Sequence, residues 1–200
     1  MAEETGLIIP LGRLVLNEAL RQKVEWARDG VVPNATITVN LSPRQLLDPT
    51  LVTSLEAAIA ESGIAAQQLT LEITENSLMH DIDLSITVLE RLKEMGLQLA
   101  VDDFGTGHSS MTYLKRLPID ILKIDRSFVA NLGTDRGNSS IVRAISSLGE
   151  ALDLAVVAEG VETQTQLAAL GGQHCSYGQG YFWSPSLGGP ELATWATTAR

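Results

Sequence analysis

One cysteine, Cys175, stands among 200 residues, and a lone thiol cannot close an internal disulfide. A disulfide-stapled scaffold is excluded, a reducing compartment fits, and the thiol reads as a small buried hydrophobe. Basic residues are scarce: 14 Lys and Arg face 24 Asp and Glu, for a formal net charge of −10. Non-specific binding of a nucleic acid polymer rests on clustered cations that release counterions, so that class is excluded, whereas a small phosphorylated ligand is not. No apolar run approaches the roughly 20 residues of a membrane span. The opening Met-Ala-Glu-Glu-Thr lacks the basic and apolar regions of a signal peptide. The expectation is a cytoplasmic segment without membrane contact. The three histidines, His80, His108 and His174, are scattered and do not read as metal ligands, and no Cys/His cluster suits structural zinc. Low-complexity tracts, charge blocks and linkers are missing too, which predicts one domain over residues 1–200.

What is present is a repeating alternation. The chain is 44% hydrophobic, enough for a substantial core. Leu11, Leu14, Val15 and Ala19 recur at helical spacing between Ile9 and about Arg28, with Pro10 in the first turn. Residues 36–41 alternate as a strand; Asp48 and Pro49 cap and open a helix with Leu51, Leu55, Ala58 and Ile59 on its apolar face, ended by Gly63. Residues 69–73 read as a strand, Leu84, Val88 and Leu92 as one face of a helix stopped at Gly96, and 97–101 as the next strand. A short helix over 109–116, a strand over 119–124 and a brief helix around Phe128 follow. Ile141, Ile145, Leu148 and Leu152 mark a helix, and residues 154–158 form the near-continuous apolar run of a buried parallel strand. Thr163 and Gln166 form a capping box, a weaker strand surrounds 175–179, and Pro190 opens the terminal helix.

Repeated strand–helix units build an open doubly wound sheet or a closed barrel. The strand ends favour the barrel, because nearly every one carries a polar residue: Asn40, Glu72, Asp102 with Asp103, Lys123 with Asp125, Glu159 and Gln179. A barrel gathers those ends on one face. Glu72, Asp102, Asp103 and Glu159 gathered there are four carboxylates that repel unless protonated or neutralised by cations, and an all-oxygen donor set suits Mg²⁺ or Mn²⁺. Adjacent residues of a regular strand point to opposite faces, so Asp102 and Asp103 can share a site only where the strand is ending. Such a pair can hold two metals about 3.5–4 Å apart, the arrangement that activates water for attack on a phosphodiester, with Lys123 orienting that water or stabilising phosphate charge. Each residue alone also has a plain reading. Asp-Asp before glycine, Asn40 and Gln179 can be turn formers, Glu72 an outward strand residue, Lys123 and Asp125 a simple pair, and Glu75 and Glu162 helix-start acids. Those readings leave the recurrence from strand to strand unexplained.

The segments Val39-Asn40-Leu41-Ser42, Leu71-Glu72-Ile73-Thr74-Glu75, Asp102-Asp103-Phe104-Gly105-Thr106-Gly107, Leu122-Lys123-Ile124-Asp125, Val157-Ala158-Glu159-Gly160-Val161-Glu162 and Gln179-Gly180-Tyr181 resemble the EAL-domain family of bacterial cyclic di-GMP phosphodiesterases. The resemblance implies a (β/α)₈ TIM-type barrel that hydrolyses cyclic di-GMP to pGpG with two Mg²⁺ or Mn²⁺ ions. Residue by residue, it implies Asn40, Glu72, Asp102, Asp103 and Glu159 as metal ligands, with Gln179 beside the metal and water. It implies Lys123 as the residue that positions water, Glu75 as the anchor of the Asp-Asp loop, and Asp125 and Glu162 as further site residues. It also implies pairing of barrels near the Asp-Asp loop and an upstream sensory or GGDEF-type domain. His108 stands where the family usually has tyrosine.

The family's signature Glu-Ala-Leu closes an early strand, whereas Glu18-Ala19-Leu20-Arg21 falls inside the predicted first helix and is read as a decoy. The chain is therefore expected to hold about six of the eight strands and to lack the signature strand. The expectation from another class is a module that binds cyclic di-GMP or a protein partner without hydrolysis. A metal-assisted barrel enzyme acting on a carbon acid needs a base and an anion pocket that the sequence does not identify.

Overall fold

The computed structural model describes residues 1–107 and 111–198. His108 and the start of the predicted 109–116 helix lie outside the described residues. Among the described residues six strands follow one another in sheet order as in sequence, β1 (Ile37–Asn40), β2 (Leu69–Thr74), β3 (Gln98–Phe104), β4 (Ile121–Ile124), β5 (Ala155–Ala158) and β6 (Tyr177–Gly178). The pairings β1–β2, β3–β4, β4–β5 and β5–β6 are parallel. Helices separate the strands, as parallel pairing requires. The fold class is that of a (β/α)₈ TIM-type barrel with six of its eight strands present.

The chain divides into two compact units. The first comprises Met1–Ile73, His80–Leu99 and 187–198. It contains α1 (Ala2–Thr5), α2 (Ile8–Arg28), α3 (Pro43–Leu46), α4 (Leu51–Ser62), α6 (Ile82–Glu94) and α11 (Gly189–Thr198). In it, α2 packs on β1, α3 and α4. The buried side of α2 is Leu16, Leu20 and Lys23, whereas the expected face is largely outside: Leu11, Leu14 and Val15 are exposed. Apolar residues stand on more than one side of this helix, so periodicity fixes the helix but not its phase. The buried Lys23 amine is held by the carbonyls of Val32, at 3.2 Å, and Pro33, at 2.8 Å. Asp48 is not the cap of α4. Its carboxylate accepts from the Thr50 amide at 3.0 Å and the Thr50 hydroxyl at 2.8 Å, and Thr50 occupies the cap position. On α6 the buried residues are Ser85, Ile86, Leu89 and Leu92, and Leu84 is exposed.

The second unit comprises Thr74–Met79 and Ala100–Ser186. It contains α5 (Glu75–Met79), α7 (Met111–Leu114), α8 (Arg126–Val129), α9 (Arg136–Ala151) and α10 (Gln164–Leu170). The longest, α9, lies on β4 and β5 through Val142, Ile145, Ser146 and Gly149, while Ile141 of the expected face is exposed. Small residues explain the difference. A Cβ at position 149 would sit 2.3 Å from Val156 Cγ2, so only glycine lets the helix approach β5 this closely. The Thr163–Gln166 capping box forms as the sequence predicts. Cys175 is half-buried, and burial pushes its thiol above the usual range, as for an unreactive cysteine.

Candidate active site

The second unit gathers its chemistry at the C-terminal ends of β3, β4 and β5. Between Val101 and Phe104 the register of β3 against β4 shifts, and Asp103 takes a left-handed backbone, φ +54°. This bulge breaks the alternation that would send adjacent side chains to opposite faces. Oxygens of Asp102, Asp103 and Glu159 consequently lie within 4.8 Å of one another. The sequence places both aspartates at a strand end, but not the bulge that joins them.

Lys123 ties the cluster together. Its Nζ lies 3.2 Å from Asp102 Oδ1 and 2.5 Å from Glu159 Oε1, and its side chain is only 5% exposed. The ladder brings the three together: Val101 pairs with Leu122, Lys123 with Val157, and the Glu159 amide continues onto the Ile124 carbonyl at 3.1 Å. Asp125 has other partners. Its Oδ1 accepts from the Ser127 amide at 3.0 Å and from the Ser127 hydroxyl, and it also accepts from Asp103.

Electrostatics split these two aspartates. Burial, then the neighbouring charges of Asp102 and Asp125, push the Asp103 carboxyl above its ordinary value, and Lys123 offsets part of this. Burial acts upward on Asp125 as well, but donors from Ser127, Asp103 and the Arg126 amide hold it below the ordinary value. Asp103 thus keeps its proton to higher pH than Asp125 does.

Behind the pair, Glu75 anchors the turn. It is 2% exposed, and its Oε2 accepts from the Gly105 amide at 2.9 Å. A Cβ at Gly107 would come within 2.6 Å of Glu75 Oε1 and 2.9 Å of Asn76 Oδ1, so the turn wraps directly over this carboxylate. The plain reading of Glu75 as a mere helix-start acid is too small: it opens α5 and also binds the loop.

The remaining residues are placed as follows. Within the first unit, Asn40 at the end of β1 is the register partner of Glu72, which lies two residues before the end of β2, and the Leu41 amide donates to the Glu72 carbonyl at 2.8 Å. Gln179 follows β6, its amide on the Ala158 carbonyl at 2.9 Å and its carbonyl on the Val161 amide at 3.0 Å, with the residue exposed. Glu162 is exposed at the entry to α10, with its amide on Gln166 Oε1 at 2.7 Å. It is not among the three carboxylates that cluster. Glu18 lies mid-way along α2, 62% exposed and bonded to Arg21 at 2.9 Å, so the helical reading of Glu18-Ala19-Leu20-Arg21 holds.

Crowded carboxylates, one pushed toward its neutral form, are a donor set that a hard divalent cation would relieve, so these residues fit a metal. Parallel strands in sequential order, with an acidic cluster and a buried lysine at their C-terminal ends, define a barrel-type protein with its polar side chains gathered where such barrels place their sites. A family model described as "EAL domain" matches residues 1–186, and the chain belongs to the EAL-domain family. It is 45% identical over 181 residues to the bifunctional diguanylate cyclase/cyclic di-GMP phosphodiesterase MucR of Pseudomonas aeruginosa, covering 90% of this chain and 26% of that protein. A solved MucR phosphodiesterase in complex with c-di-GMP matches with TM-score 0.86 and 45% identity, over 90% of this chain and 73% of that one. The EAL domain of Mycobacterium smegmatis DcpA matches with TM-score 0.90 and 42% identity, over 95% and 85%. The chain spans about a quarter of the length of the curated relatives it matches. Among the described residues no helix is long and apolar enough to cross a membrane.

Proposed function

We propose that this chain is an EAL-type phosphodiesterase domain that hydrolyses cyclic di-GMP to pGpG. The observation that carries the reading is the buried Lys123 ammonium between Asp102 and Glu159, beside an Asp103 that the bulge turns into the same cluster. The proposed metal ligands are Asn40, Glu72, Asp102, Asp103 and Glu159, the set the resemblance assigns, and the proposed ion is Mg²⁺ or Mn²⁺. Such an ion, when bound, supplies a water acidic enough to attack phosphorus near neutral pH.

The chain's own residues do the rest. Lys123, fixed by two carboxylates, orients the attacking water and stabilises charge that develops on phosphate oxygens. Glu75 keeps the Gly105 amide, and so the Asp-Asp turn, in place. Gln179 is the proposed neighbour of metal and water, and Asp125 and Glu162 are the further site residues that the resemblance assigns. Residues 1–200 form one domain in this reading, a cytoplasmic piece of a longer signalling protein that pairs near the Asp-Asp loop and follows a sensory or GGDEF-type domain.

The test is turnover of cyclic di-GMP with Mn²⁺, followed as pGpG by chromatography. Product that appears with Mn²⁺ and vanishes with chelator supports the reading; none with either ion contradicts it. Binding without hydrolysis is favoured by one observation, that the chain's Glu-Ala-Leu lies within α2 with Glu18 tied to Arg21 and so does not supply the signature carboxylate. Calorimetric binding with no pGpG would select that second reading.

A further inference from the structure

After β1 the chain turns at Leu41 and Ser42 into α3, and this turn is held from an unexpected direction. Ser42 and Gln45 form a capping box: the Ser42 amide donates to Gln45 Oε1 at 3.1 Å, and the Gln45 amide donates to Ser42 Oγ at 3.3 Å. The Gln45 side-chain amide is lodged against α2 at Gly12. A Cβ built at Gly12 would lie 1.8 Å from Gln45 Nε2 and 2.7 Å from Cδ. Any side chain at position 12 must therefore drive out the amide whose oxygen holds the Ser42 N–H. The next residue of α2, Arg13, donates to Thr50 Oγ1 at 2.7 Å and lies 3.6 Å from Asp48 Oδ2, so the same turn of α2 also grips the chain beyond α3. Asn40 stands just before this clamped turn, and the Leu41 amide between it and Ser42 donates to the Glu72 carbonyl. Gly12 lies inside a helix, where alanine is the better helix former, so propensity does not explain a glycine there.

We propose that Gly12 and Gln45 are positioning residues for Asn40: the notch at Gly12 seats the Gln45 amide, which fixes Ser42 and thereby the backbone from which Asn40 reaches a metal. This rests on the reading of Asn40 as a ligand. Releasing Ser42 leaves the Leu41 amide as the remaining hold on the backbone after that ligand, and the loss appears in metal affinity rather than in helix content.

The experiment is titration of the whole chain with Mn²⁺, reading unbound ion by electron paramagnetic resonance, alongside thermal melts. Gly12→Ala and Gln45→Ala should each weaken Mn²⁺ binding, by about three- to tenfold if the whole cap is lost. The double variant should bind no more weakly than Gln45→Ala alone, because both act through one amide. Gln45→Glu, which keeps an acceptor for Ser42, should bind close to the unsubstituted chain. Unchanged Mn²⁺ affinity in Gly12→Ala and Gln45→Ala, with or without a lowered melting temperature, overturns this proposal alone. Unchanged affinity in Asn40→Ala, or no Mn²⁺ binding by the unsubstituted chain, overturns the ligand reading and this proposal with it.

Discussion

Lys123 is the residue on which the site turns. Replacing it with methionine leaves the half-buried Asp102 and Glu159 side by side without their cation, and removes the group proposed to orient water. Lys123→Met should cut turnover by about 10²–10⁴-fold while Mn²⁺ still binds, a split that kinetics and metal titration together reveal. Asp103 gives a second prediction at this scale. Its carboxyl is raised in the folded chain, so between its unfolded and folded values the native state holds the extra proton and stability falls as pH rises through that window. Asp103→Asn removes that loss, so without metal it should melt higher than the unsubstituted chain at neutral pH and lower its stability less as pH rises above the ordinary carboxylate range. Glu75 was legible as an acid at a helix start and, through the resemblance, as a loop anchor. The Gly105 bond and the close approach of Gly107 supply the physical content.

Among the elements, α9 shows what patterning reads and what it misses. Its existence follows from apolar recurrence, but its inner face includes Ser146 and Gly149, which a hydrophobic pattern passes over. Gly149→Ala should destabilise the chain by about 1–3 kcal/mol in chemical denaturation through overlap with Val156, and Val156→Ala should recover part of that loss in the double variant. Ile141→Ser, on the exposed side, should cost within about 0.5 kcal/mol. The same cause misled the reading of α2 and α6, where more than one side carries apolar residues and packing chooses among them. All six strands and the Thr163–Gln166 cap were legible, because alternation and capping chemistry are local. The bulge at Asp102–Asp103 was legible only as an ending strand, since a register shift against β4 is set by a partner 20 residues away. The partners of Lys123 were hidden for the same reason: nearness in sequence suggested Asp125, whereas the ladder delivers Asp102 and Glu159.

At the scale of the molecule, a chain with net charge −10 that concentrates acids at strand ends is stabilised by whatever neutralises them. Mn²⁺ at about a hundredfold above its dissociation constant should add about 2.7 kcal/mol of stability. For a chain of this size that raises the melting temperature by about 5–10 °C. Asp102→Asn should lose most of that gain. The central claim, hydrolysis at the cluster on β3, β4 and β5 with Glu18 taking no part, meets its most direct test in chromatography of cyclic di-GMP incubated with Mn²⁺ and the unsubstituted, Asp102→Asn or Glu18→Gln chain. The account predicts pGpG from the unsubstituted chain, at least about 100-fold less from Asp102→Asn, and an unchanged rate from Glu18→Gln. No pGpG from the unsubstituted chain, or loss of product in Glu18→Gln alone, would contradict it.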